Sequence, residues 1–474
     1  MLRIANAGGP GALTTGNGIL VVDATNGTTT PNAFTLAGEV RGGAFDYFLF
    51  RGGINGSNPD DWFLRSDFTV PPNGGNGVNG GCINVGNGGG GNVANGAGGN
   101  GANGGSGVAV LPGGGVQFPS EAPPNVLPCG IYPIIGPELA TYGAVQPIAR
   151  QLGLTSLGTH DDRTGDQLLC QPGDRTDRTI YTKAPPSTEC QRPSIWGRGF
   201  GQRIDNRYQA YADPRTTGAM PGFQAGVDLL RGDFIPGHMD YAGLYVAYAN
   251  GNIDVSGLVT NPTATGYVLE HTGKLMLDAW SGGAYWSHIG PDGWHVDAVL
   301  QGTRYSGTAT TQFASLNTTG TGFISSLEGG VPIVLPQLGP GFVLEPQAQI
   351  LWQQVSFDDA NDVFGAVALG RTSGAEGRVG LKGKWTIVTD GGQVWQPYLH
   401  SNFWADWGNP ATTTFSGVDF VPLKYRNEYM EVGGGVKAKL YDHVLLFANA
   451  DYQFSVTGFR RDGVKGGAGL RYTW

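Results

Sequence analysis

Gly466-Gly467-Ala468-Gly469-Leu470-Arg471-Tyr472-Thr473-Trp474, at the end of the chain, alternates with a period of two. Even positions carry Gly466, Ala468, Leu470, Tyr472 and Trp474; odd positions carry Gly467, Gly469, Arg471 and Thr473. That is the period of a strand with two unlike faces. Upstream, Met430, Val432, Val436, Ala438 and Leu440 share one face, and Glu431, Lys437 and Lys439 the other. Glu345, Gln347, Gln349 and Gln353 oppose Leu344, Ala348, Ile350 and Trp352 in the same way. So do Arg378, Lys382 and Lys384 against Val379, Leu381 and Trp385, and Gln396, His400, Asn402 and Asp406 against Trp395, Leu399, Phe403 and Trp407. A half-buried sheet in water alternates similarly, so segment number and connection length must decide between the two.

Roughly twelve such segments follow residue 193: 194–202, 222–231, 239–252, 274–289, 293–305, 322–334, 341–357, 373–389, 393–407, 428–440, 443–455 and 464–474. Tight connections fall at Gly232–His238, Pro291–Gly293, Pro336–Gly341, Asp390–Gly392 and Tyr441–His443. Long ones fall between them, at Arg203–Pro221, Ile253–Gly273, Ser306–Thr321, Asp358–Thr372 and Gly408–Asn427, with a shorter Val456–Gly463. Strict alternation of short and long connections with an even strand number predicts an all-β, antiparallel transmembrane β-barrel of about twelve strands. Its polar face would line the pore, through Glu345, Gln347, Gln349, Arg378, Lys382, Lys384, Glu431, Lys437 and Lys439. Trp280, Tyr285, Trp286, Trp294, Trp404, Trp407, Tyr472 and Trp474 are read as interfacial girdles.

Composition agrees with this and excludes other classes. Of 474 residues 82 are glycine, 40% are hydrophobic, 11% aromatic and only 14% charged. The glycines follow no G-X-Y period, which excludes collagen, and the aromatics supply core area that a disordered chain lacks. A net charge of −9 without a basic patch argues against nucleic acid. No apolar run is long enough for a membrane-spanning helix. The start, Met1-Leu2-Arg3-Ile4-Ala5-Asn6, lacks the build of a signal peptide. It reads as a fragment of a longer precursor or as a chain that is not exported.

Residues 1–70 read as short strands, at Gly18–Asp23, Ala33–Leu36, Phe45–Phe50 and Trp62–Arg65, with Asn-Gly turn signals between them. Residues 71–137 form a Gly/Asn- and then Pro-rich linker whose composition cannot offset its ordering entropy. Within 138–192 comes the one helical signal, with Pro147 suited to a first helical position and Ile148, Arg150, Gln151 and Leu152 continuing it. Gly153 and Gly158 weaken it as an isolated helix. The four cysteines, Cys82, Cys129, Cys170 and Cys190, have no zinc-ligand spacing. Cys170 and Cys190 enclose a short polar loop that an oxidising compartment would close for roughly 3 kcal/mol. Other pairings, or free thiols, remain open.

Three stretches carry a family resemblance. They are Leu13-Thr14-Thr15-Gly16-Asn17-Gly18-Ile19-Leu20-Val21-Val22-Asp23-Ala24 with Tyr47-Phe48-Leu49-Phe50-Arg51-Gly52-Gly53; the helical Tyr142–Gly158 followed by His160–Gly165; and Trp196-Gly197-Arg198 leading to Gly222-Phe223-Gln224-Ala225-Gly226-Val227-Asp228. In this order they resemble the C-terminal part of bacterial autotransporters, the type V secretion proteins. The resemblance implies that 1–70 is the end of a passenger, a β-helix remnant that helps the passenger fold. It implies that the helix threads the pore and that 193–474 anchors and exports the protein's own N-terminal passenger. Leu470, Tyr472 and Trp474 resemble the terminal signal read by the barrel-assembly machinery.

The implied partners are outer-membrane lipid, that machinery, periplasmic chaperones and the passenger itself, around a monomeric barrel in the bacterial outer membrane with its N-terminal part at the cell surface. We expect Arg150 and Gln151 to contact the lumen carboxylates and amides. The long Gly/Asn insert and the cysteines depart from the family pattern. No Asn-Asn pair lies within 138–192, so the pore-linker cleavage of some relatives is not expected.

Other motifs are discounted. Arg231-Gly232-Asp233 sits in a predicted tight turn, and Asp358, Asp359 and Asp362 read as solvated loop acids rather than calcium ligands. Gly197–Gly201 lacks the βαβ setting of a dinucleotide fingerprint, and no catalytic grouping stands out. We expect no enzyme, cofactor or metal centre. The alternatives are a porin-like diffusion channel, which needs an open lumen, and a surface adhesin without an export role.

Overall fold

The computed structural model describes residues 1–70, 108–110, 117–119, 130–164, 193–232, 234–235, 237–424, 426–441 and 443–474. All four cysteines, most of the Gly/Asn tract and Asp233 lie outside the described residues, and with them the Cys170–Cys190 pairing and the flexible-linker reading.

Alternating residues after Pro193 build twelve antiparallel strands: β1 (Ser194–Arg207), β2 (Arg215–Gly232), β3 (Met239–Thr260), β4 (Tyr267–Ile289), β5 (His295–Thr310), β6 (Ser315–Gly330), β7 (Phe342–Phe357), β8 (Arg371–Trp385), β9 (Val394–Asp406), β10 (Asn427–Tyr441), β11 (Val444–Gly458) and β12 (Arg461–Thr473). Each pairs with the next, and β12 returns to β1 with Ser194 opposite Thr473 and Asn206 opposite Arg461. The ring therefore has no edge, so backbone polar groups pair strand to strand all the way round, as hydrocarbon requires. Outward side chains such as Leu244, Val246, Leu300, Ile350 and Leu399 are exposed and apolar, while their sequence neighbours are buried inside.

The strands run further than their periodicity suggested. Spanning a bilayer takes about 9–11 residues per strand, yet β3 and β4 have 22 and 23. Three connections expected to be long are therefore mostly strand, leaving only residues 208–214, 261–266 and 311–314 between strands. Pairing continues past the membrane because inward residues there pack on a helix instead of facing water: a Cβ on Gly257 would stand 2.4 Å from Ala140 Cβ. Long outer loops remain at 358–370 and 407–426, which with 209–210 make a small five-stranded sheet beside the barrel mouth.

Two of the expected girdle aromatics point the other way. Tyr285 and Trp404 are 4% and 7% exposed and lie in the lumen, Tyr285 beside Trp196 and Trp404 stacked on Tyr429 at 5.8 Å. Strand parity decides this: Trp404 shares the face of Asn402 and Asp406. Trp280, Trp286, Trp407, Tyr472 and Trp474 do face outward, and Trp294 is half-buried in a turn. Inward aromatics also explain much of the glycine. Tyr245 covers Gly283 on the neighbouring strand, where a Cβ would stand 2.2 Å from its ring.

Upstream, a three-stranded sheet (19–22, 62–65 and 48–51) matches three of the four expected strands; Ala33–Leu36 makes only an isolated bridge, Leu36 to Leu2. Residues 130–133 pair with 67–70, and Tyr132 stacks on Phe68 at 5.7 Å. Thr260 donates its backbone N–H to Ile135. The end of the predicted linker, 130–137, is thus a docked part of the N-terminal module.

Next come α1 (Glu138–Gly143), α2 (Val145–Leu157) and α3 (His160–Thr164). Pro147 is therefore not the first helical residue. It lacks the N–H that would bond Gly143, which interrupts the ladder between α1 and α2, but Ala144 keeps helical angles (φ −75°, ψ −15°) and the axis continues. The described residues contain no helix long and apolar enough to cross a membrane.

Candidate functional site: a pore filled by its own chain

The twelve strands enclose α1, α2 and α3. Ile148, Ala149 and Leu152 are fully buried against the inner wall, in one cluster with Ile253, Leu277 and Tyr305. Burying each large aliphatic side chain contributes about 1.5–3 kcal/mol, and this compensates for the modest intrinsic helicity of the segment. Gly153 is where the helix touches the wall most closely: a Cβ there would stand 2.7 Å from Gln353 Nε2 and 3.0 Å from Tyr305 Oη. Gly158 ends α2 at φ +66°, the left-handed turn that favours glycine.

The polar side of α2 is paired with the barrel. Arg150 reaches Asp406 at 3.5 Å, and its carbonyl accepts from Gln353 Nε2 at 3.0 Å. Gln151 Oε1 accepts from Asn206 Nδ2 at 2.8 Å, and Pro147 lines the same crevice. Arg150 and Gln151 do contact lumen groups, but not those singled out from the sequence. Asp406 and Asn206 sit at the loop end beside the middle of the helix, whereas the expected residues gather nearer the turn end.

There α3 meets them. Asp161 Oδ1 accepts from Lys382 Nζ at 2.6 Å and Lys437 Nζ at 2.7 Å, and its other oxygen accepts from Gln347 at 3.2 Å. Arg163 pairs with Asp297, and the His160 N–H donates to Glu328 at 3.0 Å. Glu328 also holds Arg378 at 2.6 Å. Glu345 bonds Lys384 at 2.6 Å and Gln347 at 2.7 Å, Gln349 bonds Ser326 at 2.8 Å, and Glu431 bonds Lys465 at 2.8 Å. Of the nine expected pore residues, eight are buried inside the barrel and Lys439 is half-buried on the same face. Arg150, Asp161 and Arg163, which the segment brings into the lumen, each have an opposite charge beside them, which offsets their desolvation.

Sequence reasoning missed Asp161, Arg163 and Asp297, although the polar run His160-Asp161-Asp162-Arg163-Thr164 is the signal that could have found them. At the last strand, Leu470, Tyr472 and Trp474 point outward and are 42–49% exposed. Arg471 between them is fully buried and bonds Asp228 and Ser194, each at 2.7 Å.

The loop-end mouth is closed by the N-terminal module. A hairpin at residues 40–47 is buried throughout, with Arg41 on Asp362 at 2.5 Å and the Ala44 N–H on Asp419 at 2.9 Å. Asp362, expected to be a solvated acid, is thus a buried partner of Arg41 and of the Tyr142 hydroxyl at 3.0 Å. Asp358 stays exposed and accepts from Thr319.

Comparison with known proteins agrees with this geometry. The autotransporter β-domain family matches residues 195–451, and the type 1 autochaperone domain matches residues 1–49. The chain is 23% identical to the adhesin BmaC autotransporter of Brucella suis biovar 1, over 100% of this chain and 12% of that protein. It is 25% identical to the BrkA autotransporter of Bordetella pertussis, over 54% of this chain and 24% of that one. The chain thus spans about an eighth and a quarter of the lengths of these two relatives. Among solved structures, the transport unit of AIDA-I from Escherichia coli superposes with a TM-score of 0.50 at 17% identity, over 72% of this chain and 99% of that one.

Proposed function

The chain belongs to the autotransporter family, its barrel being an outer-membrane translocator, and on that premise we propose that it exports its own N-terminal passenger and then holds it at the cell surface. One observation carries this reading. The helical segment runs from the loop end of the barrel into the lumen as far as α3 near the turn end, and β1 begins at that same turn end, beside the C-terminus. The N-terminal module therefore lies at the mouth opposite the C-terminus, where a polypeptide that had passed through this pore would be left. A twelve-stranded lumen lined by paired charges and amides toward its turn end suits such passage, and the apolar wall at Ile253, Leu277 and Tyr305 gives the helix that stays behind a place to pack.

The filled lumen disfavours an open diffusion channel. We read the module of residues 1–70 as the folding end of a passenger that continues upstream, and the outward Leu470, Tyr472 and Trp474 as the signal read during barrel assembly. Barrel-assembly machinery and periplasmic chaperones would be its partners before it stands as a monomer in outer-membrane lipid. In this reading the chain is a conduit and anchor rather than a catalyst.

The test is gel mobility of the outer-membrane fraction in detergent, with and without boiling, combined with protease treatment of intact cells. A heat-dependent shift together with surface cleavage of residues 1–70 is expected. A chain that shifts on heating but keeps residues 1–70 shielded until cells are broken would overturn export.

A further inference from the structure

Where the N-terminal module meets the pore, three carboxylates converge from distant parts of the chain. Glu39 precedes the docking hairpin, Asp46 lies on its second strand, and Glu138 opens α1. One oxygen from each lies within 4.8 Å of the others. Two ligands on opposite sides of a calcium ion stand about 4.8 Å apart, from calcium–oxygen distances of 2.3–2.6 Å, so the three oxygens fit around one ion.

These acids are not solvated. Asp46 and Glu138 are 5% and 0% exposed. Glu138 Oε1 accepts from Thr311, but among the described residues Glu138 Oε2 and Asp46 Oδ1 meet no donor, and the one group beside the Glu39 carboxyl to share a hydrogen bond with it is another acid, Asp46. Buried acceptors in a folded protein are almost always satisfied. Arg41 does not answer the need, because its guanidinium is committed to Asp362 at 2.5 Å and comes only within 3.8 Å of Glu138. Among the described residues one cation, Arg41, thus faces the four carboxylates of Glu39, Asp46, Glu138 and Asp362. A further observation concerns the space itself. Gly136 backs onto the cluster, and a Cβ there would stand 2.3 Å from Asp46 Oδ2 and 2.8 Å from Glu39 Oε1.

We propose that Glu39, Asp46 and Glu138 bind one divalent cation, and that the ion clamps the N-terminal module onto the mouth of the pore. Oxygen-only donors of this charge select a hard cation, calcium before a transition metal. Water or backbone carbonyls complete its coordination. The ligands come from both sides of the junction, so the ion binds only after module and helix have docked, and its affinity adds directly to docking. The site is independent of the export reading, since a barrel with a docked module would hold the ion whether or not it ever moved a passenger.

The experiment is calcium titration of the whole folded chain in detergent at pH 8, by calorimetry, alongside the Glu39→Gln/Asp46→Asn and Asp359→Asn variants. One site per chain is expected, with a Kd of roughly 0.1–1 mM, as in extracellular calcium modules. Binding should weaken at least tenfold in the double variant and stay unchanged with Asp359→Asn, which alters an exposed acid that is not one of the three. Calcium should also raise the temperature at which residues 1–70 become protease-sensitive, in the wild type but not in the double variant. Glu39 is only half-buried, so Glu39→Gln alone serves if the double variant fails to show a heat-modifiable barrel. No saturable calcium binding by the wild type, or binding that survives these substitutions, would overturn the proposal. So would a module whose melting responds to pH but never to calcium.

Discussion

The carboxylate of Asp161 and the ammonium of Lys382 meet at 2.6 Å inside the turn end of the barrel, 221 residues apart in the chain. Lys437 reaches the same oxygen from the next inward-facing strand but one. This contact joins the end of the threaded segment to the wall and makes α3 the inner latch of the plug.

Asp161→Ala leaves two buried ammonium groups without their carboxylate. Removing one partner of a buried pair costs on the order of 3 kcal/mol. We expect α3 to detach while the twelve-stranded ring stays closed. Planar-bilayer recordings should then show more frequent and larger openings than in the wild type, with the heat-dependent gel shift retained. Unchanged conductance would mean that α3 does not seal the pore.

Arg150→Glu places a second carboxylate against Asp406, at the site where the guanidinium now stands 3.5 Å away. Like charges at this distance in a confined lumen repel. The outer half of the plug should loosen, raising conductance less than Asp161→Ala does, because Ile148 and Leu152 remain buried. Restoring the baseline with Arg150→Glu/Asp406→Arg would show that the pair, not the backbone, carries the effect.

Gly153→Val tests packing rather than charge. A side chain there meets Gln353 at 2.7 Å and Ile324 at 3.2 Å on the wall. Overpacking of this kind costs about 1–3 kcal/mol. Limited proteolysis should cut the pore segment faster in the variant than in the wild type, although valine has higher intrinsic helicity than glycine. Equal rates would place the helix further from the wall than described.

The junction acids set a pH dependence in the absence of divalent ions. Burial, followed by repulsion from Glu138, pushes the Asp46 carboxyl from its ordinary 3.8 up to about 7. Burial, with Asp46 and Glu138 adding to it, pushes Glu39 from 4.5 up to about 11. Both keep a proton in the folded protein at pH values where the unfolded chain has lost it, so stability falls as pH rises from about 4 through 7 and beyond. In EDTA, residues 1–70 should therefore melt at lower temperature at pH 8 than at pH 5. Glu39→Gln/Asp46→Asn should flatten that difference, and a slope of opposite sign would contradict the burial of these groups.

Trp474→Ala separates assembly from stability. The side chain is 49% exposed on the outer face, so its loss should change barrel melting in detergent by little. The fraction of chain reaching the heat-modifiable form in cells should fall several-fold if the outward aromatic end is a recognition signal. A normal assembled fraction would remove that role from Trp474.

The sequence alone determined a barrel of about twelve strands, from the number of segments and the alternation of their connections, and its period of two determined which residues face lipid and which face the lumen. Glu345, Lys382 and Glu431 could be assigned to the inner face from parity, and the alternating connections gave the even strand number. Parity, applied consistently, would also have turned Trp404 inward. Tertiary structure decided what each inward group touches. Arg150 on Asp406, Asp161 on Lys382 and Arg41 on Asp362 depend on how far a helix slides along a barrel axis and how a module seats on its mouth. Those are sums of many weak contacts between segments hundreds of residues apart, and no local period records them. The same holds for the acids at the junction. Glu39, Asp46 and Glu138 are unremarkable charges along the chain, and only docking brings their oxygens within 4.8 Å of one another.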